Sequence, residues 1–165
     1  MRLLEQYKKL HEDGRFPGMS ILPYVPEIAD LIAEFKSRSL LDYGCGRGRQ
    51  YLHERIHRAM GVDMPALYDP AVAEFSIKPR GPFEGVICTD VLEHVPEDEL
   101  SEVIGDLSRY ARQWAFITVC CRPSKHFTFE DGTNVHVTLK PFEWWAARLK
   151  GKLRPKVRLV LRESP

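Results

Sequence analysis

The chain has 165 residues, with 24 Lys and Arg against 23 Asp and Glu, a formal net charge of +1 and 44% hydrophobic side chains. That length supports one core and leaves little room for a separate substrate domain, and the balanced charge excludes a global field directed at nucleic acid or a membrane surface. The four cysteines form no C-x-x-C pair, no signal peptide is visible, and no apolar run reaches spanning length, so a reduced, cytoplasmic protein without a membrane partner is expected.

Residues 1–22 hold a charged, helical start followed by the breaker-rich Gly14-Arg15-Phe16-Pro17-Gly18-Met19-Ser20. This segment reads either as an arm able to close over a ligand or as a frayed terminus, with residues 23–165 as one domain. Pro26 opens a helix in which Ile28, Leu31, Ile32 and Phe35 recur at helical spacing.

The stretch Ser39-Leu40-Leu41-Asp42-Tyr43-Gly44-Cys45-Gly46-Arg47-Gly48 organises the rest of the chain. It is a short apolar strand that reaches an acid and turns through three glycines into a helix, so the main chain can turn sharply and admit a ligand closely. Dinucleotide sites use G-x-G-x-x-G and place a pyrophosphate at the helix N-terminus. Here the spacing is G-x-G-x-G behind Asp42, and a carboxylate at the mouth repels pyrophosphate while suiting a ligand with an ammonium and a sulfonium.

A second helix is expected from Gly48 to about Ala59, burying Leu52, Ile56 and Ala59, with Gly61 as its stop. Pro65 to Pro70 reads as a short strand ending at Asp69. An acid roughly 20 residues past a glycine loop is placed to accept hydrogen bonds from ribose hydroxyls. Asp69 is preferred for this, and Asp63, in Gly61-Val62-Asp63, competes with it.

Phe75-Ser76-Ile77-Lys78 reads as a short edge strand, and Phe83 to Asp90 as a central parallel strand, apolar on both faces. A helix follows from Glu97 with Leu100, Val103, Ile104 and Leu107 inward. Trp114 to Cys120 is another buried strand. Residues 122–140 are loop-like, a helix from Pro141 turns Phe142, Trp145, Ala146 and Leu149 inward, and a strand near Val157–Leu161 closes the chain. Strands alternating with helices predict an α/β fold: a doubly wound, mostly parallel sheet with helices on both faces and the ligand at the carboxyl ends of its strands.

Asp42 with its three glycines resembles the first motif of the class I S-adenosylmethionine-dependent methyltransferases, and Asp90-Val91-Leu92-Glu93-His94 resembles the fourth motif of their small-molecule members. The resemblance covers about residues 26–121. It implies S-adenosyl-L-methionine as cofactor, held by Asp42, Tyr43, Gly44, Cys45, Gly46, Gly48 and Asp69 with Asp90 on the methionine or substrate side. It also implies a small-molecule or nucleoside- or sugar-like acceptor; a nucleic acid is disfavoured, and no D/N-P-P-Y/F follows the fourth strand.

An amine acceptor must be neutral and an oxygen acceptor must lose its proton, so a general base or a metal is expected for O-methylation. His94 and His136 are candidate bases, with Asp90 beside them. If the turn after Asp90 is helical, then Asp90, Glu93 and His94 share a face, and His136 joins them as a set for magnesium, manganese or zinc. The same residues also read as caps and packing. The basic run Lys150, Lys152, Arg154, Lys156 and Arg158 and the pair His53 and His57 read as solvated faces. A cofactor-binding module without catalysis of its own is the rival from another class.

Overall fold

The computed structural model describes residues 3–16 and 18–164; Met1, Arg2 and Pro17 of the arm, and Pro165, lie outside the described residues. Five strands, β1 (Leu40–Tyr43), β2 (Ala66–Tyr68), β3 (Phe83–Thr89), β4 (Ala111–Val119) and β5 (Arg158–Glu163), form one sheet in the order β2-β1-β3-β4-β5. Every neighbouring pair is parallel. The helices are α1 (Leu3–Glu12), α2 (Val25–Phe35), the single turns α3 (Arg49–Leu52) and α4 (Ile56–Ala59), α5 (Leu100–Tyr110) and α6 (Phe142–Lys150). Among the described residues no helix is long and apolar enough to cross a membrane.

The two-residue period of the strands divides the core. Leu41 and Tyr43, Val86 and Cys88, and Ala115, Ile117 and Val119 face α5 and α6, which bury Leu100, Ile104, Leu107, Trp145 and Leu149 against them. Leu40, Ile87, Trp114 and Phe116 face the other way, onto Ile28, Leu31 and Ile32 of α2 and onto Tyr51, Ile56 and Met60. Each large apolar side chain so enclosed contributes about 1.5–3 kcal/mol. In β3 a side chain at Gly85 would overlap the Trp114 ring opposite it, so the missing Cβ is what lets Trp114 lie across the strand and donate to Ser37 Oγ at 2.9 Å.

Two expected elements differ. The helix over 48–59 is interrupted: Arg55 takes a left-handed φ of 53°, which splits it into α3 and α4 and leaves Leu52 51% exposed while Tyr51 goes inside. The chain at 75–78 is not a strand. The Asp69 N–H donates to the Phe75 carbonyl at 3.0 Å, closing a tight loop through the turn Ala73–Phe75, and Ile77 points into solvent. The regular part of α5 starts at Leu100, after a turn in which the Pro96 carbonyl accepts from Glu99 and Leu100.

Candidate active site

The strand order reverses between β1 and β3, so their carboxyl ends open a crevice at a topological switch point. The glycine loop after β1 forms one wall. Gly44, Gly46 and Gly48 all have positive φ, and a Cβ at Gly44 would overlap Val91, which follows Asp90 at the end of β3. The loop's N–H groups are used internally: Gly44 and Cys45 donate to the Tyr68 carbonyl at 2.7 and 3.1 Å, Gly48 to the Cys45 carbonyl at 3.1 Å, and Gly46 to Asp69 Oδ2 at 2.8 Å. A nest of free donors for pyrophosphate is therefore absent at these four positions.

Asp42 is buried beneath the loop, where Gln50 Nε2 donates to its Oδ2 and to the Cys45 carbonyl. Burial pushes its carboxyl up to about 7. Among the described residues Gln50 Oε1 is buried without a hydrogen-bond partner, and the buried Tyr51 hydroxyl stands beside the Asp42 carboxyl, where it counteracts part of the effect of burial. Tyr43 turns away from the crevice, its hydroxyl donating to Asp106 Oδ2 at 3.1 Å, and Cys45 is a buried thiol that burial raises far above its usual range, so both meet the crevice through their backbone. Asp69 follows β2 directly and its Oδ1 accepts from the Ala71 N–H at 2.9 Å. Asp63 is exposed ahead of β2, at the amino end of that strand, and the structure does not bring it to the loop.

Beyond β3, Asp90 takes a φ of 55° and is tied to β4, its Oδ1 accepting from the Thr118 hydroxyl at 2.6 Å. The turn after it is a tight one, Leu92–His94, and the left-handed Asp90 lies outside it. The expected helical face of Asp90, Glu93 and His94 does not form. Glu93, His94 and His136 instead converge, with one ligand-capable atom from each within 4.8 Å of the others, and Asp90 is not in that group.

The geometry of this trio is well defined. Glu93 is buried between the ends of β3 and β4. Its Oε1 accepts from the Cys120 N–H at 2.9 Å, its Oε2 has no partner, and burial, with Asp90 nearby, pushes its carboxyl up to about 8. His94 and His136 stand edge to face with centroids 4.9 Å apart. His94 Nδ1 meets the Val135 carbonyl at 3.0 Å and His136 Nδ1 meets the Arg122 carbonyl at 2.6 Å. A carbonyl only accepts, so each Nδ1 carries the proton and each neutral ring leaves Nε2 as a free lone pair. Burial, then the neighbouring His136, brings His94 down to about 4.

Sequence reading left the arm's side chains unassigned, and the structure packs them over this crevice. The Tyr7 hydroxyl is shared between the Val135 carbonyl at 2.6 Å and the His94 carbonyl at 3.0 Å, and its ring meets those of His94 and Phe129. Phe16 lies edge-on to His94 and Phe127. Ser20 Oγ reaches the Thr89 hydroxyl at 3.1 Å, and Lys9 pairs with Glu130. A small core of Tyr7, Leu10, Ala71, Phe129 and Val135 thus joins the arm to the 122–140 loop. The signal in the sequence was the apolar face of α1 followed by the Gly14–Gly18 bend, which names no partner for that face. The basic run, by contrast, precedes β5 and stands with Arg112 at the amino ends of the strands, across the sheet from the crevice.

No curated protein matches the chain in sequence. A family model described as a methyltransferase domain matches residues 21–158, a span that contains the glycine loop, the Asp90–His94 segment and β1 to β4, and that stops at Arg158, the first residue of β5. With the five-stranded parallel sheet and its crevice at the switch point, that match makes the chain a member of the class I methyltransferase family.

Proposed function

We propose that this methyltransferase uses S-adenosylmethionine to methylate a hydroxyl group of a small, nucleoside- or sugar-like acceptor, with His136 taking the proton. The observation that carries this reading is the pair of imidazoles whose Nδ1 atoms are held by carbonyls, leaving two Nε2 lone pairs at the end of β3. The bound cofactor supplies a methyl group activated by a sulfonium. Around it, the Asp42 carboxyl at the base of the loop and the unpartnered Gln50 Oε1 suit a cationic ligand, and the satisfied loop N–H groups disfavour an anionic one. Asp69 accepts one N–H on each oxygen and keeps further lone pairs for ribose hydroxyls. Methyl transfer is an in-line displacement, and the arm and the 122–140 loop serve it by holding donor and acceptor together and excluding water.

His94, brought down to about 4, is neutral near pH 7 and too weak a base to remove a hydroxyl proton efficiently. Its role is to accept a hydrogen bond and orient the acceptor, which leaves His136 as the base. The Glu93, His94 and His136 convergence supports a second reading. The carbonyl behind each imidazole and the unpartnered Glu93 Oε2 suit a divalent cation, which would acidify the acceptor hydroxyl. A nucleic-acid acceptor draws no support from the basic run, which lies at the other end of the sheet.

Turnover of S-adenosylmethionine over a panel of hydroxylated acceptors, with chelator or with added magnesium, manganese or zinc, tests both. His136→Ala is expected to lower turnover about 100-fold or more while binding of S-adenosylhomocysteine, by calorimetry, stays within about threefold. Unchanged turnover in that variant sinks the role of His136. Cofactor binding without turnover on any acceptor favours the non-catalytic module, and loss of turnover in chelator alone favours the metal.

A further inference from the structure

His11 belongs to neither set of residues above, yet it roofs the glycine loop. It stands in the last turn of α1, where Arg47 Nη1 donates to its carbonyl at 3.3 Å and Phe16 meets its ring edge-on at 5.2 Å. These contacts hold the imidazole over Gly46: a Cβ there would lie 3.5 Å from His11 Cε1 and 3.7 Å from the Gly18 Cα. A Cβ would sit there at ordinary contact distance, filling the gap between arm and loop, and the positive φ of Gly46 (55°) favours glycine at this position. Among the described residues His11 Nδ1 is buried and has no hydrogen-bond partner, which is costly for a polar atom in a closed arm.

The groups bordering the gap define its occupant. Gly46 donates its N–H to Asp69 Oδ2 and presents its Cα to the His11 ring, so the Asp69 carboxylate and the imidazole both border this glycine, close enough for the carboxylate to act on the ring's charge. Burial holds the imidazole below its ordinary pKa, with Arg47 adding to this and Asp69 opposing it, so the ring is neutral near pH 7. A carboxylate only accepts hydrogen bonds. With the ring's proton on Nδ1, a group between the two donates to the first and accepts from the second, and a hydroxyl does both.

We propose that His11 is a cofactor-positioning residue, its Nδ1–H donating to a ribose hydroxyl of the S-adenosyl ligand from the side opposite Asp69. This rests on the S-adenosylmethionine reading above. It makes the arm part of the cofactor site and couples closure of the arm to occupancy of the sugar subsite.

Calorimetric titration with S-adenosylhomocysteine and with methylthioadenosine, which keeps the ribose and lacks the amino-acid end, tests this on three proteins: wild type, His11→Phe and His11→Asn. His11→Phe retains an aromatic ring without nitrogen and is expected to weaken both ligands about tenfold. His11→Asn restores a donor near Nδ1 and is expected to stay within about threefold of wild type, with unfolding midpoints alike in all three. His11→Phe binding as well as wild type, or better, overturns the proposal by making the ring a plug. A loss seen with S-adenosylhomocysteine and absent with methylthioadenosine overturns it by moving the contact to the amino-acid end. In wild type the 15N resonance of His11 Nδ1 shifts when S-adenosylhomocysteine is added; an unmoved resonance at saturation overturns the proposal even if a variant misfolds. Wild type that binds neither ligand overturns the cofactor reading itself.

Discussion

Asp42 shows how a single side chain carries both a cost and a use. The strand that brings it to the loop also buries it, and its carboxyl rises to about 7. Between roughly pH 4 and 7 the folded chain keeps a proton that the unfolded chain has lost. Because the folded state binds more protons in that window, Asp42 makes stability fall as pH rises through it, by ~1.4 kcal/mol per pH unit, and contributes no further change above about 7. Asp42→Asn mimics the protonated form. Denaturant unfolding across this range is expected to show a stability gain of Asp42→Asn over wild type that grows from pH 4 to 7 and then levels off. A difference independent of pH would mean that Asp42 stays ionised when folded. A cationic ligand favours the ionised form, so this cost is borne by the free protein and relieved in the complex.

At the scale of elements, the joint between α1 and the 122–140 loop decides whether the crevice is open. One hydroxyl, that of Tyr7, ties α1 to the His94 and Val135 carbonyls, while Lys9 pairs with Glu130 at the surface, where an ion pair adds little. Tyr7→Phe leaves two buried carbonyl contacts unmade and keeps the ring packing on Phe129 and His94. It is expected to weaken docking of the arm by about 1–3 kcal/mol. Hydrogen exchange would then speed up in residues 3–16 and around 133–138, with β3 and β4 as protected as in wild type. Equal exchange in the arm of both proteins would show that the apolar cluster alone holds it. This joint was half legible. The arm and the loop each stand out in sequence as segments without a fixed place, but Tyr7 and Val135 are 128 positions apart, and no local pattern pairs them.

For the whole molecule, parallel strands segregate the functions of the two ends of the sheet. Asp42 lies in the carboxyl-terminal half of β1 and Asp69, Asp90, Glu93, His94 and His136 come after strands, whereas Arg112 is the second residue of β4 and Arg154 and Lys156 precede β5. Charge reversal of Lys152 and Lys156 is therefore expected to leave affinity for S-adenosylhomocysteine within about twofold and turnover of a small acceptor unchanged; a large loss would place the acceptor across that basic edge. The buried strands, their order along the chain and the glycine loop were legible in the sequence, because a buried parallel strand and a turn without Cβ atoms are written in consecutive residues. Asp69 was preferred to Asp63 because Gly61 interrupts the strand that Asp63 would end, and in the structure Asp69 follows β2 while Asp63 precedes it. The structure decided three further things: the break at Arg55, the closure of 69–75 that removes an expected strand, and the departure of Asp90 from the expected set of Asp90, Glu93, His94 and His136, of which the last three converge. The last depends on distant groups, since Thr118 of β4 takes the Asp90 carboxylate and the Cys120 N–H takes that of Glu93, whereas the first two are local backbone conformations that the apolar pattern does not encode.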